Sequence, residues 1–479
     1  MRIVPKEQLL KHLAAENPWW DSPHGIAGDY DRLTPREYLS LFHPLVAQEQ
    51  VRRAILLMGP RRVGKTVMLH HCVRQLIAEG VPPRTIVYVS VDHPLYNRLG
   101  LDELVALGSE ATHHDLSRQP GYVLFDEIQY LRDWERHLKA LVDSHHQLRC
   151  IASGSAAAAL RLKSIESGAG RFTDFLLPPL TFHEYLRLLE KQKLVTEKDG
   201  ELCSTDIDAL NAAFVHYLNF GGYPEVLFSP AIQADPGRFI KADIIDNVLL
   251  RDLPSLYGIS DIQELNALFT TLAYNTAGEV TLDGLSKNSG VAKNTIKRYV
   301  EYLEAAFLIR VVHRIGRDGH RFQRANYFKV YLTNPSMRAA LFSSIGADDE
   351  EMGALAETGL LSQWFHSSDP IHYARWDRRG EEGEADIVGR GWAVEVKWTD
   401  RCFERPDELR SLLAFCRSSR PSAVGVTTRT RSGKKVVQGQ AMVFLPASLW
   451  CYRLGRDIVR GMLRRGAIPT ALPTGEGQE

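Results

Sequence analysis

The chain predicts an α/β protein: a mainly parallel sheet around a phosphate-binding loop, a helical segment after it, and a small second α/β unit. Three observations carry this. The apolar run Ala54–Met58 leads into Gly59-Pro-Arg-Arg-Val-Gly64-Lys65-Thr66 and then the helical pattern Val67–Ile77, the strand, loop and helix context that a P-loop requires. The apolar stretch before Asp126-Glu127 and the run Leu148–Ala152 before Ser153-Gly154-Ser155 read as further buried strands, with Thr85–Val91 between the first two, so strands and helices alternate as in a parallel sheet. Far along the chain, Asp386 heads Ile387-Val388 and Glu395-Val396-Lys397 closes the next apolar run, which predicts a second, smaller sheet.

Size and composition set the bounds. At 479 residues the chain is long enough for two to four domains of roughly 100–200 residues each. Apolar residues make up 44% and charged residues 24%, with 58 basic against 58 acidic side chains, the profile of a soluble globular protein. A balanced charge gives no global attraction to nucleic acid, so such binding has to come from local patches. The six cysteines form no C-x-x-C pair and no metal-ligand spacing, which suits reduced thiols in a cytosol and argues against zinc. With no basic-then-apolar leader pattern and no apolar run near the ~20 residues that span a bilayer, a cytoplasmic protein without a membrane partner is expected.

In a P-loop the backbone amides around Gly59, Arg61, Arg62 and Gly64 close on the phosphates of ATP. The helix N-terminus faces their charge, Lys65 reaches the outer phosphates and Thr66 ligates Mg2+. Asp126, ending a buried strand, is expected to hold the metal through water, and Glu127 to orient or deprotonate the attacking water. Ser153 or Ser155, at the carboxyl edge of the sheet, is placed to sense the γ-phosphate.

The order GPRRVGKT, LFDEIQ, SGS, Gly170-Arg171 and Pro179-Leu-Thr-Phe-His-Glu184-Tyr resembles bacterial and archaeal AAA-family ATPases that carry a C-terminal domain of unknown function. Gly221-Gly-Tyr-Pro-Glu225, Arg251-Asp252 and Lys329-Val-Tyr331 agree with it, over about residues 50–400. The resemblance implies an AAA-type ATPase core at 50–190, following an N-terminal helical segment, 1–49. It also implies that Arg171 is an arginine finger or phosphate sensor, set against a plain surface arginine; a finger acting in trans would require a homo-oligomer. His183 and Glu184 read as helix-start residues, and Thr181 stands where the family has serine. Asn17-Pro-Trp-Trp20 reads as an aromatic anchor on the ATPase.

Residues 191–275 are helix-patterned and correspond to the family's helical lid, with Lys191–Thr205 expected as a linker or exposed loop and Gly221-Gly-Tyr-Pro224 as a turn. Arg251 is a second sensor there, or the ion-pair partner of Asp252. Over 276–330, Leu282, Leu285, Val291, Ile296, Tyr299, Val300 and Leu303 recur at helical spacing around a break at Ser289-Gly290, a helix-turn-helix pattern with Phe307–Val312 as a wing strand. Lys293, Asn294, Lys297 and Arg298 on the second helix suit DNA; the same shape also serves as a protein-interaction spacer.

Residues 331–462 resemble a restriction-endonuclease-like core of the PD-(D/E)xK type, followed by a tail, 463–479, expected to be disordered. The resemblance assigns Glu357 in the helix Gly353–Phe365, Asp386 after an acidic turn, and Glu395 and Lys397, which strand alternation puts on one face. Such carboxylates would bind one or two divalent metals, and Lys397 would stabilise the attacking water or the phosphate charge. The basic run Tyr373–Arg379 lies nearby. Against this stands a plain salt-bridged strand surface. The combined expectation is an ATPase acting on DNA. Its alternatives are a regulatory ATPase whose nuclease-like module binds a protein partner, and a DNA-stimulated ATPase that does not cut.

Overall fold

The computed structural model describes residues 4–461 except 23–24, 27, 49, 155–169, 199, 320–325, 367–369 and 379–380. Ser155, Arg379 and the expected tail lie outside the described residues. The chain divides into two compact bodies, Met1–Pro178 and Pro179–Glu479. The break precedes the expected one at 190 because the helix Phe182–Leu188 packs on the helix Ala447–Val459 of the second body.

Five strands make the first body's sheet: β1 (Ala54–Met58), β2 (Ile86–Ser90), β3 (Gly121–Asp126), β4 (Leu148–Gly154) and β5 (Phe172–Leu176). Their order is β2-β3-β4-β1-β5 and every pairing is parallel. Strands β1 to β4 are apolar and almost wholly buried, as a sheet covered on both faces demands. Strand β5 was not legible as a strand: Phe172-Thr-Asp-Phe-Leu is a half-exposed edge with little apolar signal. At the opposite edge, the N-terminal segment satisfies β2. The Asn17 side chain accepts from the Tyr88 amide (2.6 Å) and donates to the Tyr88 carbonyl (2.8 Å). Both indole N–H groups of Trp19 and Trp20 donate to the Ile86 carbonyl, at 3.1 and 2.8 Å. The tryptophan pair is thus an anchor that also occupies edge-strand groups otherwise open to unwanted pairing.

In the second body the charged stretch expected as a loop is instead a hairpin, β6 (Val195–Lys198) with β7 (Glu201–Ser204); its sparse apolar content hid the pairing. Helices Ile207–Phe220 and Ile262–Tyr274 follow, then the pair Leu282–Ser289 and Lys293–Ala305. Nine further strands form one sheet: β8 (Glu279–Thr281), β9 (Ile309–Ile315), β10 (Tyr327–Leu332), β11 (His372–Arg378), β12 (Glu381–Gly389), β13 (Trp392–Glu395), β14 (Ala423–Thr428), β15 (Gly433–Val437) and β16 (Gln440–Pro446). Their order is β15-β16-β14-β13-β12-β11-β9-β10-β8.

Two expectations change here. The boundary at 330 runs through β10, and β9 pairs parallel with β11, His372 opposite His313, so the strands beside the helix pair Leu282–Ser289 and Lys293–Ala305 and the C-terminal core share one sheet. The acidic turn before Asp386 is strand: Glu381–Glu384 pair with β11, Arg375 opposite Glu384. Gly383 fits that register because a Cβ there would lie 2.3 Å from the Trp376 ring. Beneath this part of the sheet, Leu412, Leu413 and Phe415 of the helix Arg410–Ser419 pack with Ala385, Val388, Val424 and Val426 in one apolar core.

Candidate nucleotide site and acidic cluster

In the first body the loop Gly59–Gly64 joins β1 to the helix Lys65–Ala78. Arg62 and Gly64 take left-handed φ of 62° and 93°, turning the chain so that Lys65 opens the helix. A Cβ at Gly59 would fall 2.3 Å from the Leu177 carbonyl oxygen, so only glycine lets the loop pass this close to the end of β5. Lys65 is buried and its ammonium donates to the carbonyls of Gly59 (3.2 Å) and Pro60 (2.8 Å).

Opposite the loop, Asp126 is buried at the end of β3 and collects three hydroxyls. Thr66 donates to Oδ2 at 2.6 Å, Tyr88 to the same oxygen at 2.8 Å, and Ser153 to Oδ1. Burial, then the Asp126 charge, pushes the Tyr88 phenol well above its ordinary pKa. Glu127 stands next to it at φ 55°, a conformation uncommon for residues other than glycine. Its amide donates to the Ser153 hydroxyl at 3.2 Å and its carboxylate accepts from the Gln129 amide. The sequence-derived Thr66, Asp126, Glu127 and Ser153 are therefore brought together. Two further residues belong with them. Tyr88 fixes Asp126, and Arg36, buried, donates to the Val63 carbonyl in the loop (2.7 Å) and to the Pro178 carbonyl (3.1 Å). Neither carries a motif; Tyr88 is one more aromatic on a buried strand, and Arg36 lies outside the expected core.

Arg171 is not part of this site. It immediately precedes β5, and its carbonyl accepts from Ala54 at the start of β1. In a parallel sheet that is the edge opposite the P-loop, roughly 16 Å away at about 3.3 Å per residue over five residues. Its guanidinium pairs instead with Asp143 at 2.5 Å on the surface. Sensing its own chain's nucleotide is thereby removed from its roles. Thr181 and Glu184 form a capping box, Glu184 N–H to the Thr181 hydroxyl at 3.2 Å and Thr181 N–H to the Glu184 carboxylate at 3.3 Å, which gives both a helix-start function.

The second body gathers Glu357, Asp386, Glu395 and Lys397 at adjoining places. Glu357 projects from the helix Met352–Ser362, Asp386 lies in β12 and Glu395 ends β13. Asp386 Oδ2 accepts from the Val396 amide at 2.8 Å, and Thr427 on β14 clamps the Lys397 backbone, accepting from its amide and donating to its carbonyl at 2.7 Å each. The Lys397 ammonium spans two carboxylates, 2.8 Å from Glu395 and 3.7 Å from Asp386. Among the described residues no three acids, histidines or cysteines gather closely enough to hold a metal ion; between the carboxylates stand ammonium groups. The second of these is Lys329 on β10, 3.0 Å from Glu357 and also paired with Glu384; Tyr331 donates to Glu357 at 2.6 Å. Burial pushes the Glu357 carboxyl up to about 7 although Lys329 pulls it down, and burial with the Asp386 charge pushes Glu395 up to about 8. In the sequence Lys329 and Tyr331 belong only to a family phrase; the signal that places them is the same i, i+2 alternation that aligns Glu395 with Lys397. Arg375 of the basic run is engaged with acids, 3.3 Å from Glu279 and 3.6 Å from Glu384.

On the helix Lys293–Ala305, Lys293, Asn294, Lys297 and Arg298 are all exposed, while Ile296, Tyr299, Val300 and Leu303 face inward. Lys293 is paired with Asp283. Arg251 is exposed on the helical segment Val248–Asp252 of the second body.

Residues 51–186 match the family described as AAA domain, and residues 211–351 match a domain of unknown function, DUF8612. With the loop, Thr66 and Asp126 assembled on a parallel five-stranded sheet, the first body is a P-loop ATPase domain of the AAA type. An uncharacterized protein of Methanocaldococcus jannaschii is 26% identical over 326 residues, a match covering 64% of this chain and 66% of that protein, just under two thirds of its length. One from Haemophilus influenzae is 24% identical over 358 residues, covering 74% of this chain and 83% of that one. Among solved structures, a Walker-type ATPase of Pyrococcus abyssi aligns at 16% identity and a TM-score of 0.38, covering 65% of this chain and 96% of that one.

Proposed function

We propose that the protein is a magnesium-dependent ATPase that acts on DNA through a winged helix and a PD-(D/E)xK nuclease-like site, with the ATP cycle controlling binding or cleavage. The observation that carries the second half is that a single ammonium, that of Lys397, spans Asp386 and Glu395, 3.7 and 2.8 Å away. A divalent cation suits the same place. Glu395 Oε2 is buried without a hydrogen-bond partner.

In the first body, Lys65 moves from the loop carbonyls to the phosphates of ATP, and the Thr66 hydroxyl and Asp126 carboxylate hold Mg2+. Glu127, fixed by Gln129 and Ser153, positions the attacking water. In the second body Asp386 and Glu395 would hold a divalent ion, which would supply charge neutralisation at the scissile phosphate and an activated water. Lys397, released from these carboxylates, would face the phosphate. Recognition of the duplex falls to Lys293, Asn294, Lys297 and Arg298, with the strands β8, β9 and β10 as the winged helix's sheet. A homo-oligomer would give Arg171, removed from its own nucleotide, a neighbour's site to reach.

The test is a gel assay of end-labelled linear, branched and single-stranded DNA with magnesium or manganese, with and without ATP, beside Lys65→Ala and Lys397→Ala. Cleavage lost with Lys397→Ala is expected, and the Lys65→Ala lanes show whether ATP gates it. Intact DNA in every lane sinks the nuclease reading. DNA binding is read separately: its affinity should fall steeply with salt, and less steeply once Lys297 and Arg298 are alanine.

A further inference from the structure

The two lysines of the acidic cluster are not equivalent. The Lys397 side chain is 37% exposed, on a strand end that opens to water, and can leave its carboxylates. The Lys329 side chain is 4% exposed and is held on several sides. Its ammonium pairs with Glu357 at 3.0 Å and with Glu384, and sits 5.4 Å above the Tyr373 ring. The Tyr331 hydroxyl donates to the same Glu357 oxygen that Lys329 holds, at 2.6 Å. Tyr373 is itself fixed by donating to Glu279 at 2.6 Å. An ion arriving at Asp386 and Glu395 meets a part-exposed ammonium that has water beside it. One arriving at Glu357 meets an ammonium that has no water to move into, and a buried charge taken from its partners is strongly disfavoured.

Fixed cations already face this part of the cluster: Lys329 pairs with Glu357 and Glu384, and Arg375 stands 3.6 Å from Glu384. We propose that the Lys329 ammonium is a built-in cation standing in place of a second divalent ion, so that this cluster takes one metal, at Asp386 and Glu395, and not two. This rests on the reading of the cluster as a metal site. Lys329 is on this view a positioning residue that holds the Glu357 carboxylate in place without ligating anything itself.

The experiment counts Mn2+ bound to the nucleotide-free full chain by electron paramagnetic resonance and calorimetry, taking the cluster's share as the ions lost when Asp386→Asn and Glu357→Gln are combined in each background. One ion is expected for the wild type, two for Lys329→Met, which leaves Glu357 and Glu384 open to a cation, and one for Lys329→Arg, which keeps the charge. Circular dichroism and a melting curve establish that each variant is folded. Two ions in the wild type overturn the proposal whatever the variants do, and so does a folded Lys329→Met that still takes one. A wild-type count of zero removes the metal reading of the site and this proposal with it, an outcome distinct from the count of two.

Discussion

Tyr88 is the sharpest point at which to test the nucleotide site, because its phenol touches the chemistry only through Asp126. Tyr88→Phe keeps the ring and removes one hydroxyl, whose bond to Asp126 Oδ2 is 2.8 Å long and buried. A hydrogen bond to a charged acceptor is worth about 1.5–3 kcal/mol, and the phenylalanine leaves too small a gap to add a cavity cost. The first body should therefore lose about 2 kcal/mol of stability. Thr66 and Ser153 still donate to Asp126, so the carboxylate is loosened without being released. Partners of this kind, one step removed from a metal, typically change its affinity or the activity by about 10–100-fold. The magnesium concentration for half-maximal ATP hydrolysis should accordingly rise about tenfold or more, while nucleotide binding without metal, which uses Lys65 and the loop amides, stays as it was. The assay is a magnesium titration of phosphate release at saturating ATP, beside a thermal melt. An unchanged magnesium midpoint together with an unchanged melt would refute the reasoning and make the Tyr88 contact incidental.

Arg36→Met removes both donors from the carbonyls of Val63 and Pro178; a loss of about 3 kcal/mol and weaker ATP binding are expected by melting and by nucleotide titration. Arg171→Ala should leave nucleotide affinity unchanged and cost under about 1 kcal/mol, since its Asp143 partner is on the surface. Glu357 and Glu395 have carboxyls raised from 4.5 to about 7 and about 8, so the folded metal-free protein keeps protons that the unfolded chain has already released. That stability is complete below pH 4.5 and is lost as pH rises through 7 and 8. Urea midpoints in a chelator should fall across that window, and manganese affinity should rise across it as the ion displaces the protons.

Local pattern alone determined a good part of this protein. The P-loop, Asp126 and the four buried strands were legible because a buried strand is a continuous apolar run and a phosphate loop needs glycine and lysine at fixed spacing. Glu395 and Lys397 were legible because alternation sets residues two apart on one face, and the helix pair Leu282–Ser289 and Lys293–Ala305 because its apolar positions keep the helical period. What only the tertiary structure decided depends on segments distant in sequence. Edge strand β5 and the β6–β7 hairpin carry too few apolar residues to announce themselves, and their place comes from backbone pairing. The side of the sheet on which Arg171 falls follows from strand direction, which no motif encodes. The meeting of Tyr88 with Asp126, of Arg36 with the loop and of Lys329 with Glu357 joins residues 38, 27 and 28 positions apart. In each case a buried polar group requires a partner, and only the fold determines which residue supplies it.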